Sequence, residues 1–134
     1  MKDKNRVHHL GELQYAIMRV LWNEREASVA RVYDALPAEH RRALTTIATM
    51  LTKMERKGVV AHRSEGRQFV YVPQIEETDV RRTMVADLTE RLFAGDVSAL
   101  VTHLISDGEI DRDELARLQK LIERKRQEER GHGR

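Results

Sequence analysis

Residues 43–57 carry the pattern that most narrows what this chain can fold into. At about 100° per residue, Leu44, Ile47, Ala48, Leu51 and Met54 fall on one side of a helix, and Thr45, Thr46, Thr49, Thr52, Lys53 and Arg56 take the other. Gly58 follows, a residue type that ends helices because it enters the left-handed conformation without a Cβ penalty. The apolar side must be covered by neighbouring elements. The other side needs a separate explanation, because threonine is β-branched and fills a merely solvated helix face poorly.

Flanking segments supply the cover. Upstream, Leu10, Leu13, Ile17, Val20 and Leu21 recur at helical spacing behind Gly11, while Tyr15, Met18 and Trp22 occupy the opposite side, so this helix is expected to pack on both faces. Ser28 is placed to cap a short helix whose inner positions are Val29, Val32, Tyr33 and Leu36 and which Pro37 stops. Downstream, residues 59–63 and 68–72 are β-prone, residues 64–67 (Ser-Glu-Gly-Arg) suit a hairpin loop, and Pro73 closes the second strand. Three helices followed by a hairpin is the winged form of the helix-turn-helix.

The rest of the chain predicts three more helices. Val80, Met84, Leu88 and Leu92 line the first, which stops at Gly95; Val97, Leu100, Val101, Leu104 and Ile105 line the second, which ends at Asp107-Gly108. Asp111 and Glu114 have capping-box spacing ahead of Leu115, Leu118, Leu121 and Ile122. Three short helices bury too little apolar surface to order themselves alone. The expected fold is therefore mainly α with a small β-hairpin wing: a winged helix-turn-helix domain over residues 1–74, a three-helix dimerisation domain over 75–126, and a charged, disordered tail over 127–134. The faces expected to pair with a second copy carry Met84, Leu88, Leu92, Leu100, Leu104, Leu115, Leu118 and Ile122.

Charge separates the halves in the same way. Residues 1–74 hold thirteen Lys or Arg against eight Asp or Glu, a balance of +5, whereas residues 75–134 hold eleven against fourteen, a balance of −3. A polyanion is thus expected to meet only the first half. There a threonine hydroxyl can donate to a phosphate or a base edge and its methyl can pack on a thymine methyl. Arg41 and Arg42 at the helix entrance, with Lys53, Arg56 and Lys57 farther along, are phosphate-binding types, and Arg63 and Arg67 flank the wing tip. The expected partner is double-stranded DNA, read at Arg41, Arg42, Thr45, Thr46, Thr49, Lys53, Arg56, Arg63 and Arg67.

Other chemistries find little support. The chain has no cysteine, which removes disulfides, thiolate nucleophiles and Cys-based metal sites. Its six histidines are scattered without the spacing of a metal site. No nucleophile with a neighbouring base, phosphate-cradling glycine loop or paired-carboxylate motif occurs, so no enzymatic activity and no cofactor are expected. No stretch approaches the roughly 18 apolar residues that a membrane span needs, and a soluble, cytoplasmic protein without membrane insertion is expected. A metal- or ligand-responsive winged-helix regulator and a winged-helix protein-interaction module stay open as alternatives.

These residues resemble the penicillinase repressors, the BlaI/MecI/CopY family of bacterial regulators. The resemblance lies in residues 13–22 (Leu-Gln-Tyr-Ala-Ile-Met-Arg-Val-Leu-Trp), 28–36 (Ser-Val-Ala-Arg-Val-Tyr-Asp-Ala-Leu), 44–58, with its Thr-Thr-Ile-Ala-Thr-Met-Leu run ahead of Lys-Gly, and 66–73 (Gly-Arg-Gln-Phe-Val-Tyr-Val-Pro), and extends through 99–104 to about Ile122. It implies a homodimeric repressor of resistance or stress genes acting on pseudo-palindromic operators, with Thr45, Thr46, Thr49, Lys53 and Arg67 at matching DNA-contact positions. It also implies induction through a membrane sensor protease, whose Asn-Phe cleavage bond aligns here with His103 and Leu104. The Cys-x-Cys motifs of copper-responsive members have no counterpart.

Overall fold

The computed structural model describes residues 8–132. The first helix, α1 (Glu12–Glu24), opens with the Gly11 N–H donating to Gln14 Oε1 at 3.2 Å. Its Ile17, Met18 and Leu21 are fully buried. The expected second face is present too: the Tyr15 ring meets Trp22 edge-on at 5.9 Å, and the Trp22 indole donates to the Ile75 carbonyl at 2.9 Å. Arg25 then turns the chain with φ +73 into a two-residue strand, β1 (Ala27–Ser28).

Helix α2 (Val29–Ala35) starts where Ser28 predicts, the Ser28 Oγ accepting from the Arg31 N–H at 3.1 Å. A 3-10 turn (Ala38–His40) leads to α3 (Leu44–Lys57). Gly58 ends α3 with φ +90, and the N–H of the following Val59 reaches back to the Met54 carbonyl at 3.0 Å. Val59 is itself fully buried, which anchors the helix terminus in the core.

Strands β2 (Val60–Glu65) and β3 (Gln68–Pro73) form the hairpin, and β1 adds to the far side of β3 to give the antiparallel order β1-β3-β2. Pairing continues to Glu65↔Gln68, so the turn is Gly66-Arg67 alone, tighter than the expected 64–67 loop, with Gly66 at φ +63. The core joins Leu10, Ile17, Met18 and Leu21 to Val32, Leu36, Ile47, Leu51, Met54, Val60 and Tyr71. Fully burying one such aliphatic side chain stabilises by about 1.5–3 kcal/mol. Leu44 departs from its expected core position. It is 49% exposed, because it is the first residue of α3 and lies at the margin of the core.

Three further helices follow: α4 (Glu77–Phe93), α5 (Val97–Asp107) and α6 (Arg112–His132). The chain divides into two compact units within α4, between Leu88 and Thr89, rather than at 74/75. The first unit claims the start of α4 because Val80 is buried in its core and Met84 packs against that core. Met84, expected on the pairing face, is thus in contact with the winged domain.

In the second unit, Ala94 (φ +50) and Gly95 (φ +82) end α4, the Asp96 carboxylate caps α5 by accepting from the Ala99 N–H at 3.1 Å, and Asp111 does the same for Glu114 at 2.9 Å ahead of α6. Helix α6 runs through residues 127–132, where a disordered tail was expected. Its last turns are rich in the Glu, Gln, Lys and Arg that favour helix, and Lys125–Glu129 at 3.9 Å and Arg130–Glu123 at 3.7 Å link them. Residues 133–134 lie outside the described residues. Among those described, no helix is long and apolar enough to cross a membrane.

Candidate nucleic-acid interface

Burial of Ile47, Leu51 and Met54 fixes which side of α3 faces out. Thr45, Thr46, Thr49, Lys53 and Arg56 are all exposed on that side, and among the described residues none has a side-chain hydrogen bond or ion pair. Thr52 differs from its neighbours, because its hydroxyl donates to the Ala48 carbonyl at 3.0 Å. The face therefore presents unengaged hydroxyls and two free cations.

The wing is tied alongside by contacts that spacing alone does not reveal. His62 Nδ1 on β2 lies 2.6 Å from Glu55 Oε1 on α3, and its ring stacks on Phe69 at 4.0 Å and 23°. Tyr71 adjoins the same ring at 5.5 Å. Burial pushes the Tyr71 hydroxyl above its ordinary pKa, with the Thr52 hydroxyl acting in the opposite direction. The wing strand and the C-terminal part of α3 are thus joined through the His62 ring.

The arginines separate into two kinds. Arg41 donates to the Leu36 carbonyl at 3.0 Å and lies 5.4 Å over the Tyr33 ring; Arg42 donates to the Glu39 carbonyl at 3.2 Å. Among the described residues neither faces a carboxylate in an ion pair, so backbone carbonyls orient the two guanidiniums while their charge stays uncompensated. Arg67, at the wing turn, is exposed and unpaired.

Arg63, expected with them, is already occupied. Its guanidinium meets Glu26 at 2.9 and 2.8 Å and Glu65 at 2.8 Å. Hydrogen bonding from Arg63 holds the Glu26 carboxyl below the ordinary carboxylate value of 4.5, and Glu26 in turn holds the guanidinium above its own usual range. Glu26 lies far from Arg63 in sequence, and the two-residue strand β1, which brings it near, has no periodicity to read. His62 and Phe69 were missed as wing supports for a similar reason, since their partners depend on register.

In the second unit Leu88 is not included, but Leu92, Leu104, Leu115 and Ile122 are exposed, Leu92 by 68%, while Leu100 and Leu118 are half-buried. Leu88, at the end of the first unit, is exposed as well. His103 and Leu104 sit inside α5, where His103 Nδ1 lies 3.3 Å from Asp107 Oδ2 and its ring 5.9 Å from Phe93. Among the described residues no three His, Cys, Asp or Glu side chains gather as a metal site.

The model of the penicillinase repressor family matches residues 10–124. The penicillinase repressor of Bacillus licheniformis is 25% identical over 118 residues, covering 88% of this chain and 92% of that protein. The transcriptional regulator BlaI of Mycobacterium tuberculosis is 29% identical over 126 residues, covering 92% and 88%. The methicillin resistance regulatory protein MecI of Staphylococcus aureus is 19% identical over 121 residues, covering 90% and 98%. Among solved structures, that of the DNA binding domain of the repressor BlaI is 32% identical, covers 55% of this chain and 89% of its own, and has a TM-score of 0.48. With the family model spanning both units, the chain belongs to the penicillinase repressor family, whose members are transcriptional regulators and not enzymes.

Proposed function

We propose that this repressor binds double-stranded operator DNA as a homodimer, laying Thr45, Thr46 and Thr49 against base edges and Arg41, Arg42, Lys53, Arg56 and Arg67 against phosphates. The observation that carries this reading is the outer face of α3, where hydroxyls and cations stand exposed with no partner among the described residues. A helix face of that chemistry fits the major groove, and Arg67 at the wing turn suits the adjacent backbone. Arg63 acts through Glu26 as a brace that stiffens the wing.

Pairing is supported by the exposed Leu92, Leu104, Leu115 and Ile122. Two copies covering these faces would present two α3 helices to half-sites about 34 Å apart on a pseudo-palindrome. The names of the relatives, penicillinase repressor and methicillin resistance regulatory protein, favour resistance or stress genes as targets, and the site of action is the cytoplasm. Release through a membrane sensor protease at His103–Leu104 would first require α5 to unwind, because proteases cut extended chain.

Selection of bound fragments from sheared genomic DNA by the full-length protein, followed by a salt titration, tests the reading. Enrichment of two-fold symmetric promoter sites is expected, with affinity falling steeply with salt. Indifference to every fragment at low ionic strength would sink it.

A further inference from the structure

The start of α3 breaks the pattern of the helix it opens. Leu44 lies on the apolar side of the helical wheel yet is 49% exposed, and Phe69 on β3 is 47% exposed. Both line one recess, together with Val29 and Ala30 from the start of α2 and Arg67 from the wing turn. Large apolar side chains left open side by side on a small domain mark a contact surface, and the chemistry around these two narrows what can cover them. No carboxylate lines the recess, one arginine does, and Arg41 and Arg42 shortly precede Leu44 in the chain. A second copy of this chain seated on the same face would bring Arg67 against its own counterpart. The recess adjoins one of the proposed phosphate contacts, since Arg67 at the wing turn forms part of its lining. Duplex DNA is a polyanion whose major groove displays one aliphatic group, the C5-methyl of thymine. The leading residues of a recognition helix are those that reach base edges.

We propose that Leu44 and Phe69 form an apolar seat for a thymine C5-methyl, so that each half-site requires T at the position met by the start of α3. The proposal rests on the DNA-binding reading above and adds a base preference that no hydrogen bond carries.

The test is a methyl deletion in the DNA. Half-sites are selected from a random duplex library with the full-length protein, and each thymine of the selected site is then replaced in turn by deoxyuridine, which removes only the methyl. At one position per half-site the wild-type protein loses about fourfold in affinity, the value of burying one such group. Leu44→Ala, an exposed substitution that leaves the core intact, binds the thymine and deoxyuridine versions of that position equally, whereas Thr49→Ala retains the discrimination. Wild-type protein indifferent to deoxyuridine at every position, or Leu44→Ala with the full loss, overturns the seat while sequence-selective binding stands. A protein that selects no sequence overturns the seat together with the reading beneath it.

Discussion

Arg63 grips Glu26 with both prongs of its guanidinium, Nη1 lying 2.9 Å from Oε1 and Nη2 2.8 Å from Oε2. The pair ties β2 of the wing to the turn ahead of β1 and withholds one cation from any outside anion. Glu65 holds the same guanidinium at 2.8 Å, so removing both carboxylate charges should return it. The double change of Glu26→Gln with Glu65→Gln is expected to steepen the salt dependence of DNA binding by about one phosphate contact, checked by fluorescence anisotropy across a potassium chloride series.

The same pair gives the fold an acid sensitivity whose direction can be worked out. Hydrogen bonding from Arg63 lowers the Glu26 carboxyl from 4.5 in the folded state, and Arg31 lowers Glu24 likewise. A group whose folded value is depressed contributes stability that is complete above the unfolded value and is lost as pH falls through the folded one. Melting temperature should therefore decline as pH drops below 4.5, and less so in Glu26→Gln. Glu26 is substantially solvated and Glu24 partly so, so the difference should be small and should shrink with added salt.

Gly58→Ala tests the end of α3. A Cβ there meets nothing within 4 Å, yet φ is +90, so the cost is purely conformational. About 1–2 kcal/mol of destabilisation is expected, or roughly 4–8 °C in Tm for each kcal/mol in a domain of this size, read by circular dichroism.

Base reading and phosphate anchoring should separate by mutation. Thr49→Ala is expected to relax preference among operator variants at one position. Arg42→Ala should weaken all sequences alike and reduce the salt slope by about one. Binding isotherms against a panel of single-base variants distinguish the two outcomes.

In the second unit, Leu104→Asp and Leu115→Asp should each convert a dimer into a monomer without changing the unfolding of the first unit. Light scattering at micromolar concentration provides the measurement. A wild-type monomer at that concentration would remove the pairing proposal.

Local signals explain what could be read from the chain beforehand. Ser28, Pro37 and Gly58 each act through their own backbone neighbours, and α2 and α3 begin or end where those residues dictate. The periodicity of residues 44–54 identified Ile47, Leu51 and Met54 correctly, because a helix interior repeats whatever surrounds it. Leu44 escaped the same rule because it stands at the helix end, and periodicity cannot say where the neighbouring layer stops. Residues brought together only by tertiary structure were not legible: Glu26 against Arg63, Glu55 against His62, and Val80 with Met84 against the first core, which moved the division of the chain into α4. The helical extension through 127–132 was legible in principle, since its residues favour helix, but its lack of apolar positions argued for fraying.

Trp22 is the sole tryptophan of the chain, and its indole is fixed between the Tyr15 ring and the Ile75 carbonyl. Its intrinsic emission is accordingly a built-in optical gauge of one place, the seam where α1 holds the segment leaving the wing. Denaturant or heat that frees this seam should redden the signal, and a titrant that leaves the colour unchanged has left the seam closed.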